Sequence, residues 1–463
     1  MKKSFILLCL LVTWFSAVAQ TFSVDGLTFK VLSSEEKTVE VSTAAADVAP
    51  YSGDVVIPAV VTSEGSDYVV TGVGDKAFEK SDITSLTMED GPTRIGYFAF
   101  SECQSLKTAK LAETIERIDS AAFLSDWYLE SCNMPKALKV LDRYAFYDSF
   151  ALSEVIMSDN VEELGEYCFF RSKFSKLRLS EKLTKIPCYA FCLCQNTAFK
   201  DLWIPDGVTE IGEWGFGSAI YIKNLHLPAS LKYIGKSAFQ SIFAAKVELP
   251  EGLEEIDDFG FTNCPYIEEL IFPEGMKRIG QWAFQGCMSL HTISLPNSLE
   301  TLDKAAFTSC TKLKEITIPD GITTIPEQCF YNSRAAKKIT IGKNVKTIGS
   351  EAFGYYDNGY NNPSVEEVYC LTDTRPSNTA SDAFGPLTYE NATLFIKAGN
   401  LRSFKSVEPW SQFKEIVEVD PSGIQHVQGS SSDSPVYTIG GIQTQNPLLP
   451  GIVIKKGKKY LNR

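Results

Sequence analysis

Residues 273–296 read PEGMKRIGQWAFQGCMSLHTISLP, and residues 296–319 read PNSLETLDKAAFTSCTKLKEITIP. Laid one on the other, they place Pro on Pro, Ile279 on Leu302, Ala283 on Ala306, Phe284 on Phe307 and Cys287 on Cys310. Extended in both directions, the register catches Phe78, Phe100, Phe123, Phe146, Phe169, Phe191, Phe216, Phe239, Phe261, Phe284, Phe307, Phe330 and Phe353. Five positions before each stands Ile, Leu or Val, from Val73 and Ile95 to Ile325 and Ile348. The residue just before each Phe is small: Ala in nine coils, otherwise Gly215, Gly260, Cys168 or Cys329. Self-similarity at so regular a period is the mark of a solenoid, in which each unit buries its apolar face only against its neighbours.

Within a unit the apolar residues alternate, as in Leu290, Ile293, Leu295 and in Leu313, Ile316, Ile318. Alternation predicts a strand with one buried face. The closing prolines (Pro205, Pro228, Pro250, Pro273, Pro296, Pro319) lack an N–H for a ladder and end it. Stacked at about 4.8 Å per coil, thirteen units span on the order of 60 Å. The small residue before each Phe leaves room for a column of rings.

The composition agrees. Apolar residues make up 44% and charged residues 22% of the 463, the balance of a chain that folds. The net charge of −13 and the absence of a Lys/Arg stripe argue against a nucleic-acid partner. Lys455, Lys456, Lys458 and Lys459 form one short basic run near the C-terminus. At the other end Lys2 and Lys3, an apolar run from Phe5 and the Ala17-Val18-Ala19 pattern read as a signal peptide. No later stretch is long and apolar enough to span a bilayer.

The unit, roughly P-x-G/S-V/L-x-x-I-G-x-x-A-F-x-x-C-x-x-L-x-x-I-x-I, resembles the BspA-type leucine-rich repeat of exported proteins from gut and oral Gram-negative bacteria. The resemblance covers Val73 to Phe353. It implies an α/β leucine-rich-repeat solenoid, β-rich, with right-handed coils of about 23 residues, an N-terminal β cap and a short C-terminal β module. The Asn ladder of better-known leucine-rich repeats is missing; Cys stands at an interior position instead. The expected division is a leader at 1–19, a cap at 20–70, the solenoid at 71–370, a closing segment at 371–420 and a linker at 421–435. A short module at 436–463 is similar to sorting tails on exported proteins. Gly354 to Pro363 reads as a surface loop and Ala383-Phe384 as a decayed last repeat, and the family resemblance implies that Trp410 and Phe413 belong to the closure.

Twelve cysteines in an exported chain invite a disulfide reading. The register opposes it. Cys103, Cys194, Cys264, Cys287 and Cys310 all stand three positions after the core Phe, so they share one interior column and are expected as buried thiols. Cys188 and Cys192 lie off that column and, with Cys194, suit local pairing or plain packing better than a metal. No catalytic or phosphate-binding motif occurs, and no enzyme activity, cofactor or metal is expected.

Binding is the expected use of an extended solenoid surface, and two stripes are candidates. The first is the outward strand residue, where Ile156, Arg178, Trp203 and His226 come from successive coils. Such residue types concentrate at interface centres. The second, two positions before the core Phe, includes Phe98, Tyr144, Tyr167, Tyr189 and Trp214, and partial burial on the back of the coil accounts for it as well. The reading that results is a non-enzymatic binding protein, exported to the cell surface, the medium or the periplasm. The family resemblance suggests a host extracellular-matrix or cell-surface protein, or another bacterial surface, as partner. A glycan-binding accessory role in polysaccharide utilisation and a structural spacer stay open beside it.

Overall fold

The computed structural model describes residues 20–44, 49–194, 200–219, 221–355 and 365–419, with the backbone of four strands between 436 and 462. The expected leader, the linker 421–435 and most of the loop before Pro363 lie outside them. The chain is a β-solenoid of stacked coils linked by three parallel rows of backbone hydrogen bonds, two of them broken into shorter sheets.

The first row lies at the Ile-Gly position. Gly72 and Val73 pair with Arg94–Ile95, and the row continues through Arg117–Ile118 and Val140–Leu141 to Glu163–Leu164, each residue on its equivalent. It resumes from Lys185–Ile186 to Thr301–Leu302. The sequence suggests only one strand per coil. This second one is two residues long and carries one inward side chain, too short for a period of two to register. The glycine after it has a steric reason: a Cβ on Gly165 would stand 2.2 Å from the Arg143 backbone nitrogen, and one on Gly349 2.5 Å from that of Glu327.

The second row is the predicted strand, though shorter than the alternating segment. Thr292–Ser294 and Glu315–Thr317 keep three residues each, because the coil must turn at the proline. This row is interrupted. Glu154–Ile156 pairs with Lys176–Arg178, but Asp201–Trp203 opens a separate sheet with Asn224–His226 and Lys246–Val247.

The third row is the Ala-Phe segment. The N–H groups of Lys76, Phe78 and Lys80 donate to the carbonyls of Tyr97, Ala99 and Ser101 in the next coil, at 2.8, 2.7 and 2.9 Å. The N–H groups between close tight turns in their own coil, as Ala99 to Gly96 and Ser101 to Phe98 do at 3.2 Å. Every N–H in the segment is thereby used, as buried backbone requires. The arrangement forces a left-handed residue two before and two after the Phe: φ is 54° at Phe98, 58° at Ala121 and 59° at Tyr144, then 59° at Glu102 and 60° at Ser125. A side chain there costs about 1–2 kcal/mol, which hydrogen bonds to both neighbouring coils hold in place.

The phenylalanines form one continuous stack. Neighbouring rings from Phe78 to Phe353 lie nearly parallel, at 4.9 Å for the first pair and 5.7 Å for the last. Phe384 extends the stack at 5.2 Å, so the expected decayed repeat is a full fourteenth member. Tyr51 covers the first ring at 4.6 Å. Tyr389, Trp410 and Phe413 close the last edge-on at 5.8, 5.9 and 5.5 Å. Thr21–Val24, Leu27–Ser33 and Thr38–Val41 form the N-terminal cap, and Thr38–Val41 pairs in parallel with Ser66–Val73 to start the solenoid. Near the C-terminus four antiparallel strands form a separate small sheet.

The interior cysteines have a defined job. The thiols of Cys103, Cys194 and Cys264 donate to the carbonyls of Phe78, Phe169 and Phe239, the core Phe of the preceding coil, at 3.0, 3.1 and 3.2 Å. Ser172 does the same toward Phe146 at 3.0 Å. These thiols stand ahead of the strands Thr108–Lys110, Asp201–Trp203 and Glu269–Ile271 of their own coils. Burial pushes them up, Cys264 and Cys310 to about 12. Asp126 holds the same position in its coil. It is fully buried, its Oδ1 accepts the Cys103 N–H at 2.8 Å, and its Oδ2 has no partner. Burial lifts its carboxyl well above the usual range.

Candidate binding surfaces

The sheet-face patch is present in two halves. Ile156 is level with Arg178 and Trp203 with His226, but the ladder break between Arg178 and Trp203 separates the pairs. The four residues are thus joined as two laddered pairs and not by one continuous ladder. Arg178 also turns back: its guanidinium bonds the Met157 carbonyl at 3.0 Å and pairs with Asp159. The coil from Phe191 to Phe216, longer than those on either side of it, lies at this break.

The Trp203 half is the better-formed site. Trp203 is 67% exposed, and its ring stacks on His226 with centroids 3.6 Å apart and planes within 9°. Two positions earlier on each strand, Asp201, Asn224 and Lys246 share the same outward face. Asn224 donates to Asp201 at 2.5 Å, and Lys246 pairs with Glu248. Together they line a cavity of about 480 Å³. The sequence reading names Trp203 and His226 but passes over the polar row, which the period of two already places on the same face.

On the back of the coils Tyr144, Tyr167, Tyr189 and Trp214 are all half-buried and all left-handed, with φ of 59°, 56°, 59° and 55°. They stack as a column at 5.1, 4.6 and 6.3 Å. Tyr147 and Phe170 run beside it as a second column, 5.0 Å apart. Tyr189 donates its hydroxyl to Glu213 at 3.3 Å; burial first, and Glu213 next, raise it to about 12. These rings mostly cover one another. Their outer end, at Ala121, adjoins a cavity of about 560 Å³ lined in part by Phe98, Arg143, Tyr144 and Tyr147. The sequence reading takes in Tyr144 but neither Arg143 nor the gap at Ala121.

Among the described residues no His/Cys/Asp/Glu group is arranged to hold a metal ion. Eleven cysteines are free thiols, all buried except the half-buried Cys188. No helix among the described residues is long and apolar enough to cross a membrane.

Comparisons with known proteins bear on the scaffold. The family model described as the BspA type leucine-rich repeat region matches in six copies, over residues 71–198, 193–264 and 243–359. No curated protein sequence matches the chain. Among solved structures, a leucine-rich repeat protein from Bacteroides ovatus is 24% identical with a TM-score of 0.59, over 75% of this chain and 94% of that one. A leucine-rich cell surface protein from Faecalibacterium prausnitzii is also 24% identical, with a TM-score of 0.48 over 72% of this chain and 92% of that one. At such identity the likeness speaks to fold. With the stacked Phe column, the Ile-Gly row and the repeat model in agreement, the chain belongs to the BspA-type leucine-rich-repeat family.

Proposed function

We propose that this chain is a non-enzymatic binding protein, exported to the cell surface, the medium or the periplasm, that docks a protein on the sheet face around Trp203. The observation that carries the reading is the Trp203–His226 stack, 67% exposed at Trp203 and set beside the polar groups of Asp201, Asn224, Lys246 and Glu248. An indole left in water without structural need favours being covered. At roughly 25 cal/mol per Å², burying two thirds of about 200 Å² contributes on the order of 3 kcal/mol. A surrounding ring of polar groups supplies orientation, as at interface hot spots. The partner class is a host extracellular-matrix or cell-surface protein, or a protein on another bacterium. Relatedness to exported repeat proteins supports this choice, though a fold by itself does not assign a ligand.

Immobilised full-length protein, presented with solubilised extracellular matrix and with surface extracts of neighbouring bacteria, tests the reading. Trp203→Ala should lower retention of the captured protein at least tenfold with thermal unfolding unchanged. Equal capture by the variant rejects this face as the docking site. Arg178→Glu serves as the comparison, and little effect is expected, since Arg178 lies across the ladder break and is engaged with Asp159.

A further inference from the structure

The aromatic column on the back of the coils ends at a gap, and the gap opens into a cavity. Tyr167 stacks on one face of the Tyr144 ring. On the other side the equivalent position is Ala121, and one coil further it is Phe98. Ala121 has the same left-handed backbone as its aromatic counterparts, φ 58° against 54° at Phe98 and 59° at Tyr144. The break is therefore a missing ring and not a change of fold. With about 4.8 Å per coil, Phe98 and Tyr144 stand roughly 10 Å apart at their backbones; the Ala121 methyl between them is buried, 2% exposed, and forms the floor of the space together with Leu124. The cavity of about 560 Å³ lies here, within the roughly 300–1,000 Å³ usual for small-molecule sites.

The groups around it are of two kinds. The faces of Phe98 and Tyr144 are apolar, while the phenols of Tyr144, Tyr147 and Tyr167 and the guanidinium of Arg143 carry hydrogen-bonding groups. Arg143, in the lining, lies 5.2 Å from the Tyr144 ring centroid and is held by Glu166 at 2.7 Å, which leaves its guanidinium as an oriented donor. An aromatic side chain entering this space would gain the ring faces but strip water from hydroxyls without replacing it, which is costly. A saccharide offers a C–H face to an aromatic ring and hydroxyls to the groups around it. The geometry points to a glycan-binding site in which a pyranose ring occupies the gap beside Tyr144 and hydrogen-bonds the surrounding phenols and Arg143. This site is separate from the Trp203 face and does not depend on a protein docking there.

A glycan array probed with the full-length protein, followed by titration of the tightest-binding oligosaccharide on it, tests the assignment. Ala121→Tyr fills the gap with the chain's own ring, at a position where three nearby coils already hold Tyr. It should weaken the oligosaccharide at least tenfold, leave thermal unfolding equal or higher, and leave protein capture through Trp203 intact. Trp203→Ala should do the reverse. Arg143→Ala, at an exposed ion pair, should weaken the sugar several-fold and provides the readout if Ala121→Tyr does not fold. The assignment is overturned if no saccharide binds, if Ala121→Tyr folds and binds as tightly as the parent, or if Arg143→Ala leaves affinity unchanged. Displacement of the sugar by N-acetyltryptophanamide at equal concentration also overturns it, since an arene would then be the better occupant.

Discussion

Replacing Ser125 and Ser241 together by Gly should stabilise the solenoid. Both residues stand two after a core Phe, with φ of 60°, and both are half-buried with no hydrogen bond from the side chain among the described residues. A side chain held left-handed costs about 1–2 kcal/mol, which Gly avoids. Against this, Gly loses more backbone entropy on folding, about 0.5–1 kcal/mol. The difference is roughly 0.5–1 kcal/mol per site. The two sites lie five coils apart, on the order of 24 Å, so their effects should add, to about 1.5 kcal/mol. The assay is urea unfolding of parent, single and double variants, followed by far-UV circular dichroism and by Trp fluorescence. Two probes are needed because a long repeat array need not unfold in one step. Nature supplies the reverse experiment: Gly286 holds the same position with φ of 74°, and Gly286→Ser should lose roughly 0.5–1 kcal/mol, plus the cost of moving the Asn263 side chain, whose Oδ1 lies 2.8 Å from the added Cβ. If the double Gly variant is less stable than the parent by about 1 kcal/mol or more, the left-handed positions store no relievable strain, and the account of the third row fails.

Two other outcomes follow from the interior column. Asp126 is buried with its carboxyl raised, so the stability it contributes is fully present below the ordinary carboxylate pKa of about 4 and is lost as pH rises through the higher folded-state value. Asp126→Asn keeps an oxygen for the Cys103 N–H and removes the charge; stability at neutral pH should rise by about 1–3 kcal/mol, and the neutral-to-acid difference in urea midpoint should shrink. An unchanged pH profile would show that Asp126 does not titrate in the fold. Cys188 is the half-buried exception among eleven free cysteines; under native conditions a thiol reagent should modify it first and the column thiols only on unfolding. Fast reaction of several thiols, or none in denaturant, would contradict the buried, reduced column.

The repeat sequence determines most of the scaffold because each rule acts over one coil. A Phe in every coil, a small residue just before it and an apolar one five positions before it can all be met together only if coils stack in register. The stack and the inward cysteines were therefore legible from the chain alone, whereas the closure by Trp410 and Phe413 came from the family resemblance. Three features were decided in three dimensions. The Ile-Gly strand depends on pairing between coils and leaves too short a trace along one coil. Alternation gives Arg178 and Trp203 the same outward direction, yet whether a ladder joins their strands depends on pairing between coils, and there the ladder breaks. The left-handed residues are imposed by hydrogen bonds between coils against local preference, so nothing in Ser125, Tyr144 or Ala121 announces them. Local chemistry along the chain specifies what each coil buries; contacts between coils decide which exposed residues become neighbours, and with them where a ligand could sit.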